Sequence, residues 1–245
     1  MNRFSVLIAT TDGPVLVQRL AEEDPDVRSV ICLNGTSEAL PISGAYDAFV
    51  RKPTGVIERL YGHTVYRMDV SGWVSDGRSW QLGVFAAHVL HARGELAERT
   101  EGATHILWLT GEVNNNLDVG VVDHVSEKIE RSAEMLSELA LRGQKIVLTY
   151  PMENGAEVAH VFEEKKISLT REDVELLPVR STEDLLVALS DNEENMPPEA
   201  TVPKIFVIEK SASKQLLRRV WVACALTVAT AGLLGWNMFD EIARW

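Results

Sequence analysis

The sequence predicts an α/β fold, with one soluble domain followed by a single C-terminal transmembrane helix. Three observations carry this expectation. Short runs rich in β-branched residues alternate with longer stretches whose apolar residues recur at helical spacing. A polar, proline-rich stretch, residues 190–203, then reads as a linker. Beyond it, residues 220–239 run for twenty positions without a charge. At about 1.5 Å per residue, such a helix matches the thickness of a bilayer's hydrocarbon core.

Residues 5–20, SVLIATTDGPVLVQRL, predict two strands around the turn Thr11-Asp12-Gly13-Pro14. Another strand is expected over 27–33, ending at Asn34-Gly35. Residues 39–62 mix Pro41, Gly44, Pro53 and Gly55 with apolar positions, which predicts a loop and then a short helix over 55–60. VYRMDV, 65–70, is strand-like, and a helix follows over 79–92 with Leu82, Phe85, Ala86, Val89 and Leu90 on one face. ILWL, 106–109, is a buried strand leading into Thr110-Gly111-Glu112, and 119–122 is a further strand. A long amphipathic helix over 123–141 shows Val125, Ile129, Ala133, Leu136 and Ala140 at helical spacing and stops at Gly143. KIVLTY, 145–150, is a strand closed by Pro151, and 153–172 predicts a short helix and a loop. A brief strand over 177–179 and a helix over 182–189 complete the domain, with 204–208 a last strand-like run. The domain therefore spans 1–190, a linker and basic juxtamembrane segment 191–219, the membrane helix 220–239, and a short tail 240–245.

With 46% apolar and 24% charged residues, the composition is that of a globular protein. The formal charge of −12 lacks the basic footprint of nucleic-acid binding, so no nucleic-acid partner is expected. Cys32 and Cys224 stand far apart and give neither a disulfide framework nor zinc spacing, which favours a reducing compartment. The first residues turn too early for a signal peptide. No Gly-rich phosphate loop with a lysine occurs, so the chain is expected to carry no P-loop ATPase and no cofactor. Trp221 and Trp236 lie near the ends of the apolar segment, where indole rings prefer the interface. Lys210, Lys214, Arg218 and Arg219 precede it and only Arg244 follows. That asymmetry predicts a tail anchor with the main domain on the cytoplasmic side.

DGRSWQLGVFAAHVLHARGEL (76–96), ILWLTGEV (106–113) and VVDHVSEKIERSAEMLSELALRGQKIVLTYPMEN (121–154) together resemble the proteolytic domain of Lon protease. The order matches: a serine after Asp-Gly opening a helix, a strand ending Thr-Gly-Glu, a helix, then a strand ending in proline with Glu-Asn beyond. LLPVRSTEDLLVAL, 176–189, resembles the closing strand and helix, so the likeness covers roughly residues 65–189. It implies a fold of the ribosomal protein S5 domain 2-like α/β type and a Ser-Lys peptidase. Ser79 would be the nucleophile, and a lysine on the helix beyond Thr-Gly-Glu its base.

Such a lysine serves only when neutral, so burial or a cationic neighbour must lower its pKa from about 10.4. Ungapped matching puts Ser126 at the lysine position, with Lys128 two residues on, about 200° around a helix. Lys128 is the candidate if the Asn114-Asn115-Asn116 loop changes the register, and an exposed surface lysine otherwise. His124, beside Asp123 where the family has Gly-Gly, is the alternative base. Ser79 is also an ordinary helix cap by its local sequence. Arg78 and Trp80 depart from the family's proline and small residue; Trp80 either fills a substrate groove or walls it. His88 and His91 lack a third metal ligand and read as partly buried polar residues, so no metal is expected. Two functions follow: a membrane-anchored peptidase cutting flexible or partner-delivered polypeptides, with a separate ATPase or a homo-oligomer among the partners to expect, or a degenerate Lon-like module tethered for assembly or regulation. A third, an anion sensor at the Ser79 helix, rests only on that helix N-terminus.

Overall fold

The computed structural model describes residues 2–53, 55–164 and 167–191, which fall in one compact unit. In chain order the elements begin β1 (Phe4–Thr10), β2 (Gly13–Glu22), β3 (Val30–Leu33), α1 (Ser43–Val50), α2 (Val56–Tyr61), β4 (Tyr66–Val70) and α3 (Gln81–Ala92). They continue β5 (His105–Leu109), β6 (Glu112–Val113), β7 (Val119–Gly120), α4 (Val125–Leu141), β8 (Lys145–Pro151), α5 (Gly155–Glu164), β9 (Val174–Val179) and α6 (Thr182–Asp191). Seven strands form one mixed sheet in the order β3-β4-β2-β1-β5-β8-β9, and β6 with β7 forms a separate ribbon. The sheet is mostly parallel: β1 with β5, β5 with β8, β8 with β9, and β3 with β4. Strand β2 is antiparallel to both its neighbours. It folds back on β1 through Asp12 and Gly13, whose φ of 129° suits glycine alone.

Parallel neighbours need crossover connections, and α4 and α5 supply those from β5 to β8 and from β8 to β9. The helices divide between the two faces of the sheet. All seven residues of β1 are buried. Its Val6 and Ile8 join one apolar cluster with α3 (Leu82, Phe85, Ala86, Val89) and α6 (Leu185, Leu189). Its Leu7 and Ala9 join another with α4 (Val125, Ile129, Ala133, Leu136) and α5 (Val158, Val161). The two-residue period of a strand covered on both faces produces this split, and the result is a helix–sheet–helix sandwich.

The sequence-based elements mostly recur; β3 starts at Val30 rather than 27 and α4 at Val125 rather than 123, and four further differences stand out. Residues 39–62 hold a helix, α1, where a loop was expected; Ile42, Tyr46, Phe49 and Val50 make a buried face at helical spacing that Pro41 and Gly44 obscure. Strand β9 begins at Val174 rather than 177, because register with β8 recruits residues that are not apolar enough to read as strand alone. The expected strand over 119–122 shrinks to Val119–Gly120, paired with β6, which the sequence did not suggest. Helix α3 starts at Gln81, two residues later than expected. Among the described residues no helix is long and apolar enough to cross a membrane. The expected membrane segment, 220–239, and the strand-like run 204–208 lie outside the described residues.

Candidate active site

Ser79 sits on the turn between β4 and α3, and its neighbour Trp80 anchors that turn. Trp80 is 2% exposed, meets Phe49 edge to face at 5.8 Å, and donates its indole N–H to the Gly77 carbonyl at 2.8 Å. Its ring is therefore a core side chain at the pocket floor and does not fill a groove. Two backbone bonds stitch the turn to the end of β5. The Gly111 N–H donates to the Ser79 carbonyl at 2.9 Å, and the Leu82 N–H to the Gly111 carbonyl at 3.0 Å. Gly111 is required for that approach, since a Cβ there would stand 2.8 Å from Val119 Cγ1 and 3.1 Å from Leu82 Cδ2. The Asp-Gly-Arg-Ser and Thr-Gly-Glu segments, 30 residues apart, are thus in direct contact.

Ser79 does not cap the helix. Trp80 holds the cap position of α3 and no side chain bonds there, which corrects the capping expectation. The N–H groups of Gly77, Arg78, Ser79 and Trp80 meet no acceptor among the described residues. Free donors of this kind suit an oxygen that gains negative charge.

Lys128 lies in the first turn of α4 and is 5% exposed, so the surface-lysine reading is corrected. Its ammonium donates to the Asp123 carbonyl at 2.9 Å and to Thr110 Oγ1 at 3.3 Å. Burial lowers its pKa below the ordinary lysine value, while the Asp123 and Glu157 carboxylates oppose the shift. Ser126, the residue at the ungapped lysine position, instead donates its N–H to Glu157 Oε1 at 2.8 Å. His124 takes a left-handed φ of 60° at the start of α4. Its ring is 69% exposed and 3.8 Å from Glu127.

Ser79, Lys128 and His124 line one cavity of about 300 Å³, with Ala9 and Thr10 at the carboxyl end of β1. Open α/β sheets bind ligands at such strand ends. Arg78 and Glu112 close an ion pair of 2.7 Å at its rim. The hydrogen bonds of Lys128 go to Thr110 and Asp123; no hydrogen bond joins it to the Ser79 hydroxyl among the described residues. Sequence reasoning missed Thr110 as a partner of Lys128, and Asn154 and Glu157 behind it, although Thr-Gly-Glu and Glu-Asn were both singled out.

His88 is fully buried rather than partly so, with Nε2 3.0 Å from the Tyr46 hydroxyl. Burial depresses its pKa to about 3. Among the described residues, no three His, Cys, Asp or Glu side chains gather to hold a metal ion. No family model matches the chain, and no curated protein matches it either.

Proposed function

We propose that this chain is a Lon-like serine peptidase, held to a membrane by residues 220–239 and lacking an ATPase of its own. The observation that supports this most is the convergence of Ser79 with a buried lysine of lowered pKa in one cavity. The finer fold assignment, to the Lon proteolytic, ribosomal protein S5 domain 2-like type, rests on the ordered motifs and is part of the same proposal.

In this reading neutral Lys128 takes the Ser79 proton as Oγ attacks a peptide carbonyl carbon. The developing oxyanion meets the free N–H groups of the 77–80 turn. The lysine then returns its proton to the leaving amine, and water hydrolyses the acyl-enzyme by the reverse proton path. Without unfolding power the enzyme cuts flexible polypeptides, or those a partner such as a separate ATPase delivers.

A second reading, a degenerate module acting as a membrane-tethered assembly or regulatory unit, is favoured by one observation. Lys128 spends its hydrogen bonds on Thr110 and Asp123 and makes none to Ser79. The deciding experiment compares the full chain in liposomes with Ser79→Ala, Lys128→Met and His124→Gln on an unstructured substrate. Cleavage lost with Ser79 and Lys128 but kept with His124 supports the dyad. Loss with Ser79 and His124 alone moves the base to His124, and no cleavage by any folded form favours the degenerate module.

A further inference from the structure

The backbone that carries the base is held from another element. Asn154, 5% exposed, brackets a single residue of the loop before α4. Its Oδ1 accepts the Val122 N–H at 3.2 Å, and its Nδ2 donates to the Val122 carbonyl at 2.8 Å. An amide that satisfies both backbone groups of one residue does the work of a neighbouring strand. The same Nδ2 donates to Glu157 Oε2 at 3.2 Å, while Glu157 Oε1 receives the Ser126 N–H at 2.8 Å. Between the two anchored residues lie Asp123, whose carbonyl receives the Lys128 ammonium, and His124 with its left-handed backbone.

We propose that Asn154 and Glu157 are positioning residues for Lys128: Asn154 fixes the Asp123 carbonyl that holds the ammonium in the cavity, and Glu157 sets the charge around it. This rests on the base role given to Lys128 above. A loop brace alone would need hydrogen bonds and no carboxylate near a buried lysine. Charged groups reach the cavity from several elements. Asp123 and His124 come from the loop before α4, Asp76 and Arg78 from the serine turn, Glu112 from β6, and Glu157 stands behind on α5. Arg78 and Glu112 neutralise each other, and the carboxylates acting on Lys128 are Asp123 and Glu157.

The two residues therefore have opposite effects when altered. Asn154→Ala frees the 122–124 loop, admits water to the ammonium, and moves its titration up toward an ordinary lysine. Glu157→Gln keeps an oxygen for the Ser126 N–H but removes the opposing charge, and moves the titration down. A fold that merely loosens moves both up.

The test uses the full chain in liposomes. Acetylation of Lys128 by N-hydroxysuccinimidyl acetate is followed across pH by peptide mass spectrometry, with thermal melts alongside. Inactivation of Ser79 by a fluorophosphonate is measured on the same variants. Midpoints displaced in opposite directions, with Asn154→Ala reacting about 10- to 100-fold more slowly at Ser79, are the expected result. Unchanged midpoints, or both moving up, overturn the inference. Opposite midpoints in a protein whose Ser79 never reacts uphold the positioning of Lys128 and overturn its role as base.

Discussion

Taking an ammonium out of water costs free energy, and Lys128 carries that cost at 5% exposure. Lys128 is charged in water and disfavoured in its site, so its folded pKa lies below its unfolded one. The charged form therefore destabilises the fold at neutral pH, and the loss is recovered as pH rises through the folded pKa toward the unfolded value. Lys128→Met should melt higher than the wild type at pH 7, and the gap should narrow by pH 9.5 in scanning calorimetry. His88 follows the same rule in the acid range. Its neutral ring gives stability that is complete above about 6.5 and is lost as pH falls toward about 3. Urea unfolding should show a decline of up to about 1.4 kcal/mol per pH unit in that window, and His88→Gln should flatten it. The sequence suggested partial burial for His88 and left Lys128 on the surface unless the loop before it changed the register, so the full burial of neither was legible. Each residue has apolar neighbours at helical spacing, but which side of the helix they occupy is set by the strands beneath.

At the scale of elements, single contacts decide how helices and strands meet. The Trp108 indole on β5 donates to Ser132 on α4 at 2.8 Å, and that hydroxyl donates to the Lys128 carbonyl at 2.7 Å. Ser132→Ala leaves a buried N–H unpaired and should cost about 1–3 kcal/mol in denaturant unfolding. Gly111→Ala should cost about 1–3 kcal/mol by overpacking, and should loosen the serine turn that Gly111 holds. The strands of the central sheet and the long helices were legible because their apolar periods are strong. Helix α1 was not, since proline and glycine at its entrance outweigh four core residues. The place of Lys128 was not either. A linear match counts residues, whereas the β6–β7 ribbon and the left-handed His124 decide where α4 begins and which way its first turn faces.

On the scale of the whole molecule, the twenty uncharged residues at 220–239 predict where the protein works. The full chain should sediment with membranes, and a chain ending at 191 should remain in the supernatant with its cavity-lining residues intact. The acidic domain carries the fold, and its two apolar clusters draw alternate residues of β1 from opposite faces of the sheet. Ser79 leads into a helix of one cluster and Lys128 rides on a helix of the other, and both line the cavity at the end of β1. The two residues thus reach one cavity from separate layers. In the proposed peptidase, sliding one helical layer by an ångström would displace serine relative to lysine, at a cost of about 100-fold in rate, while both cores stayed folded. On that proposal, a partner gripping a single layer would have a lever on the chemistry without touching the cavity.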